Sequence, residues 1–184
     1  MAAKLSQTNV SIINLLPTIT YIILKTNLII CYLKKRVSTN FPLLHINARS
    51  LSKNKDHLSL YLSTLKIKFG VIAVTETLAN ADNEALLSIP GYNSVFKNRL
   101  QNRGGGVALF INNTFNFTER EYLNAFSCND FESVFIELND LHEGTKIIGA
   151  IFRPPGHDTT NFLTCFNSVC NIISKDKKTM LPGW

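Results

Sequence analysis

Glu76 is the residue whose placement carries the most chemistry. It stands in Thr75-Glu76-Thr77, directly after Val71-Ile72-Ala73-Val74, a continuous apolar run of the kind that forms a buried strand. A carboxylate at such a strand end is held rigidly, which suits a Mg²⁺ ligand. The same position also suits a Glu that caps a strand or pairs with a nearby lysine. Asn47 closes another short run, Pro42 to Ile46. An amide there orients a phosphate, supports a metal ligand, or simply forms the turn. Arg103-Gly104-Gly105-Gly106 leads into a third run, Val107 to Ile111, and three glycines let a backbone approach a phosphate or enter a strand closely. A fourth run ends at Ile151-Phe152-Arg153-Pro154-Pro155-Gly156, where the prolines stop the strand and stiffen the loop. Layered α/β proteins usually build their sites at strand ends of this sort.

The elements that must position these residues follow from periodicity. Lys53 to Lys66 has helical spacing, with Leu58, Tyr61, Leu62 and Leu65 on one face, Ser52 and Asp56 near its start and Gly70 beyond its stop. Pro90-Gly91 turns the chain into a strand from Tyr92 to Phe96. Phe131 to Leu138 alternates, with Glu132, Val134, Ile136 and Leu138 on one side and Phe131, Ser133, Phe135 and Glu137 on the other. Lys146 to Phe152 reads as a last buried strand. Asn161 to Ile173 reads as a helix with Phe162, Phe166, Val169 and Ile173 on one face.

Composition narrows the class. The chain has 184 residues, 45% hydrophobic and 17% charged, which is globular rather than disordered. Its formal charge of +6 is carried mostly by residues 1–40, which hold Lys4, Lys25, Lys34, Lys35 and Arg36 and no acid. The other 144 residues hold 14 basic against 13 acidic side chains, so they lack the bulk basic footprint of a general nucleic-acid binder. Any affinity for DNA must come from a site. Cys31, Cys128, Cys165 and Cys170 show neither a CxxC pair nor zinc spacing, as expected of reduced, buried thiols in an intracellular chain.

Residues 1–40 are a unit apart from 41–184. Residues 12–33 are mostly apolar and precede Lys34-Lys35-Arg36, the outline of a membrane anchor with a basic flank. Pro17, Asn14, Asn27 and a central Lys25 oppose that reading, because a Lys at mid-membrane costs about 2.5–3.5 kcal/mol. The alternative is an Ile- and Asn-rich extension without structure.

Taken in order, "HINARSL" (45–51), "GVIAVTET" (70–77), "IPGY" (89–92), "NRGGGVALFI" (102–111), "FESVFIEL" (131–138) and "IIGAIFRPPG" (147–156) form a series. From about Phe41 to Gly183 the chain resembles the endonuclease domain of non-LTR (LINE-type) retrotransposons, of the exonuclease-endonuclease-phosphatase superfamily. The resemblance implies an α/β fold that is a truncated part of a four-layer α/β/β/α sandwich. It also implies Mg²⁺ as cofactor, DNA as partner, and nicking that primes reverse transcription; no small-molecule ligand is expected. By carry-over Asn47 matches the family's active-site Asn and Glu76 its metal-binding Glu. Phe152 matches the position of a family Tyr, and lacks the hydroxyl that donates to a scissile phosphate.

The next family motif is Gly-Asp-Phe-Asn. Here Lys177 to Gly183 is its usual approach, but Trp184 stands where the Asp is expected. His45, His57, His142 and His157 do not lie in the family's His context. The expectation is a truncated, inactive relic of a transposable-element endonuclease. The competing expectations are a small membrane-anchored or interaction protein whose α/β segment serves only as a binding surface, any membrane being reached through residues 12–33, and an active nuclease with a rearranged site. If the resemblance holds, Asn47 and Glu76 sit at adjacent strand ends facing a common cleft near Phe152.

Overall fold

The computed structural model describes residues 10–16, 19–24, 28–33, 42–99, 104–124, 132–140, 144–156 and 158–179. They form a mixed α/β fold with two sheets and three helices. The smaller sheet contains β4 (Leu43–Asn47), β5 (Val71–Thr75), β6 (Tyr92–Lys97) and β7 (Val107–Asn112), in the order β4-β5-β7-β6. β4 and β5 run parallel, and the other pairs are antiparallel. The parallel pair needs a crossover, which α1 (Leu51–Thr64) supplies. The larger sheet is antiparallel throughout, in the order β1-β2-β3-β10-β9-β8. Its strands are β1 (Val10–Leu16), β2 (Ile19–Leu24), β3 (Leu28–Leu33), β8 (Asn116–Glu119), β9 (Glu132–Asp140) and β10 (Gly144–Phe152).

Strand alternation builds the core. Val71 and Ala73 of β5 and Val107, Leu109 and Ile111 of β7 face Val134, Ile136 and Leu138 of β9 and Ile148, Ala150 and Phe152 of β10. The two sheets thus share one apolar interior. The opposite face of β5 and β7, with Ile72, Val74, Ala108 and Phe110, is covered by Leu51 and Leu58 of α1. The outer face of β9 and β10 carries Phe135, Ile147 and Ile151 against α3 (Thr159–Thr179). There Phe162, Phe166, Val169 and Ile173 are all buried, as their spacing predicted. Gly149 is required on that face, because a Cβ would collide with the Phe135 ring directly across the ladder.

Several expectations need correction. α1 begins at Leu51, not Lys53, and Ser50 rather than Ser52 holds the N-cap position. Ser50 makes no side-chain cap; the Asn54 amide turns back to the carbonyls of Ala48 and Ser50 instead. Tyr61 does not belong to the buried face, being 41% exposed, whereas Leu51 joins Leu58 there. α3 starts earlier than Asn161 because Asp158 caps it, its carboxylate accepting the Thr160 N–H at 2.7 Å. Cys165 and Cys170 on α3 are only half-buried. Cys128 lies outside the described residues. A 3₁₀ turn at Glu84–Leu87, the four-residue β8 and α2 (Glu121–Asn124) were not foreseen, being too short to show a period.

Residues 10–33 differ most from expectation. Their described stretches are neither helical nor without structure: they form β1, β2 and β3, and β3 pairs with β10 over Leu28–Leu33 against Ile147–Phe152. Among the described residues no helix is long and apolar enough to cross a membrane. The physical reason lies in composition, since Ile-rich β-branched runs favour strands, and a free edge at β10 gives them a ladder to join.

Candidate functional site

The C-terminal ends of β4 and β5 lie side by side, with Asn47 opposite Thr75. Beyond them the chain segments keep bonding: Ala48 N–H donates to the Thr75 carbonyl, Ser50 N–H to that of Glu76 and Leu51 N–H to that of Thr77, each at 2.9 Å. This brings the two expected site residues together. The Asn47 amide Nδ2 donates to Glu76 Oε1 at 2.8 Å. The Asn47 Oδ1 accepts the Arg49 N–H at 3.1 Å, which fixes which end of the amide faces the carboxylate. Neither residue is fully buried, so the pair is open to a ligand.

Backbone strain gathers at the same place. Arg49, Ser50, Glu76 and Leu78 have φ values of 44°, 94°, 53° and 49°, and they are the only non-glycine residues with positive φ among those described. Each costs on the order of 1–2 kcal/mol, so a fold that keeps four of them at one end must over-determine them there. Hydrogen bonds on both flanks do so. On the far side from α1, Thr77 N–H donates to the Gly106 carbonyl at 3.2 Å and Leu78 N–H to that of Gly105 at 3.0 Å.

The glycine loop has an internal task. Arg103 lies outside the described residues, but Gly104, Gly105 and Gly106 all have positive φ, at 107°, 76° and 84°. The Gly106 N–H donates to Glu132 Oε2 at 2.8 Å, so it is occupied within the protein rather than offered to a phosphate. That corrects the phosphate-approach expectation for Gly106. Glu132 also pairs through Oε1 with the Arg99 guanidinium. A Cβ at Gly105 would run into that ion pair, and one at Gly106 would strike Thr77 Oγ1.

Phe152 lies at the same end of the two-sheet interior. It is the cross-strand partner of Glu132, whose carboxylate holds Gly106, whose carbonyl in turn holds Thr77. Phe152 is 3% exposed and packs into the inter-sheet core, so its ring contributes filling and no donor. Pro154, buried just beyond, ends the strand as expected. His45 and Thr75 line the inner face one step below the pair, with His45 Nε2 and Thr75 Oγ1 3.2 Å apart. Burial lowers the His45 pKa from 6.5 to about 4, so the ring is neutral near pH 7. Arg49 is exposed at the rim, and Lys97, opposite Val107, marks the same end of β6. The site end is thus polar and partly basic.

A cavity of about 760 Å³ lies elsewhere. It opens at the opposite strand ends, between Pro42, Phe69, Tyr92, Asn112 and Phe115, and shares no residue with the Asn47–Glu76 pair. Lys68 and Tyr92 line it, but no carboxylate or imidazole does, so its size does not make it the chemical site. Among the described residues no three His, Cys, Asp or Glu side chains converge for a metal ion. Glu132 is near the same end but is engaged by Arg99 and Gly106. Glu76 would give a Mg²⁺ one carboxylate ligand, the rest of the shell coming from water or phosphate.

Glu132 is the residue that sequence reasoning passed over. A signal was present: it shares parity with Val134, Ile136 and Leu138, and a carboxylate on an otherwise apolar strand face must have a partner. Neither family models nor curated proteins match this chain.

Proposed function

We propose that this chain derives from a Mg²⁺-dependent DNA-nicking endonuclease of the LINE-type retrotransposon kind, and that it keeps a half-site without nicking activity. In this reading the two facing sheets and their flanking helices correspond to part of the four-layer sandwich of the exonuclease-endonuclease-phosphatase superfamily. The observation that carries it is the bond from Asn47 Nδ2 to Glu76 Oε1, formed at adjacent parallel strand ends on a strained, doubly tethered turn. That is where a phosphodiesterase would need a rigid carboxylate and an amide to orient phosphate. The rim residues Arg49 and Lys97 suit a phosphate-bearing partner.

The same geometry argues against turnover. Attack on a phosphodiester needs an activated water and stabilisation of charge on the phosphate and the leaving oxygen. Glu76 and Asn47 provide part of one such surrounding, Phe152 provides no donor, and His45 turns its Nε2 to Thr75 below the pair. The test is conversion of supercoiled plasmid to open circles by the full chain in Mg²⁺. The wild type is expected to match its Glu76→Ala variant. Mg²⁺-dependent nicking that Glu76→Ala abolishes would overturn the inactive reading.

A further inference from the structure

The second carboxylate at this end of the molecule acts on the first through the backbone. We propose that Glu132 is a positioning residue for the Asn47–Glu76 pair, setting the turn that aims the Glu76 carboxylate. Its functional meaning rests on the half-site reading above; its geometry does not.

Glu132 enters from the larger sheet, while Asn47 and Glu76 belong to the smaller one. Both its oxygens are used. Oε1 takes the Arg99 guanidinium, which orients the carboxylate, and Oε2 accepts the Gly106 N–H at 2.8 Å. The Gly106 carbonyl then accepts the N–H of Thr77, the residue immediately after Glu76. Gly105 repeats the tie one residue on, to Leu78. Glu76 and Leu78 both stand at positive φ, so residues 76–78 occupy a conformation that relaxes once a tether is lost. The other tether, from Ser50 and Leu51, holds the carbonyls of Glu76 and Thr77 and leaves the N–H groups of Thr77 and Leu78 to the glycine loop. Glu132 therefore controls one of the two sides of the turn. Glu137, on the outer face of the same strand and paired with Arg120, has the same chemistry without the connection, and so serves as a matched control.

The experiment reads the Asn47 side-chain amide by hydrogen exchange in ¹⁵N-labelled full-length protein, with the signal assigned by its loss in Asn47→Asp. In the wild type the bonded amide is expected to exchange about tenfold slower than that of exposed Asn113. Glu132→Gln is expected to remove most of that protection, while Glu137→Gln leaves it within about twofold of the wild type. Wild-type protection of Asn47 in a folded Glu132→Gln protein overturns the proposal, as does equal loss in Glu137→Gln. If Glu132→Gln does not fold, Arg99→Gln decides. It frees the carboxylate but keeps the Gly106 bond, so a partial loss of about two- to fivefold supports the proposal and no loss overturns it. Plasmid nicking by the wild type would defeat the inactive reading and leave this exchange result unchanged.

Discussion

Acid should weaken this fold through His45 in a way that a single substitution can isolate. The ring lies on the inner face of β4 beside Thr75, and burial lowers its pKa from 6.5 to about 4. The unfolded chain therefore binds the proton more readily than the folded one. Stability from this group is fully present above pH 6.5 and is lost as pH falls toward about 4, where the folded ring also protonates. A depression of that size corresponds to about 3 kcal/mol over the window, at about 1.4 kcal/mol per pH unit. His45 is only half-buried by surface area, so water on its open side makes this a ceiling. His45→Leu keeps the volume and removes the titration, at a constant cost of about 1 kcal/mol for the Thr75 hydroxyl left without its partner. Denaturant unfolding of both proteins at several pH values between 7.5 and 4.5 measures the difference. Carboxylate titrations common to both cancel. The wild type is expected to lose stability relative to His45→Leu by up to about 3 kcal/mol as pH falls. Parallel stability curves across that range would show that His45 is not held neutral by burial.

Two further outcomes test the packing. Gly149→Ala places a methyl group into the Phe135 ring and should cost about 1–3 kcal/mol, lowering Tm by roughly 2–4 °C per kcal/mol. Adding Phe135→Leu to that variant should recover part of the loss, and an unchanged Tm in Gly149→Ala alone refutes the close contact. Removing residues 1–40 uncovers the edge of β10 along Ile147–Phe152, so the shortened chain should self-associate in light scattering where the full chain does not. A monodisperse monomer of residues 41–184 would show that β3 is not what protects that edge.

Much of the architecture was legible because burial patterns are local. Val71 to Val74 and Val107 to Ile111 are continuous apolar runs, and only a strand covered on both faces uses such a run at that length. Phe162, Phe166, Val169 and Ile173 announce a helix face by spacing alone. Asn47 and Glu76 were likewise marked by standing at the ends of two strand-like runs. Their meeting, though, depends on β4 and β5 being parallel neighbours, so that both ends emerge at one edge.

What only the tertiary structure decided is which partners those local elements choose. Residues 12–33 carry enough apolar character for a span, and their described stretches become strands because β10 offers an unpaired ladder. Tyr61 has helical spacing but faces outward, since α1 rotates to put Leu51 on the sheet. The three glycines before Val107 suggested room for a phosphate; the fold fills that room with Glu132, which lies 26 residues further along the chain. Periodicity names the face a residue occupies. A buried charge finds its partner across the fold, because desolvation makes that pairing obligatory wherever in the chain the partner happens to be.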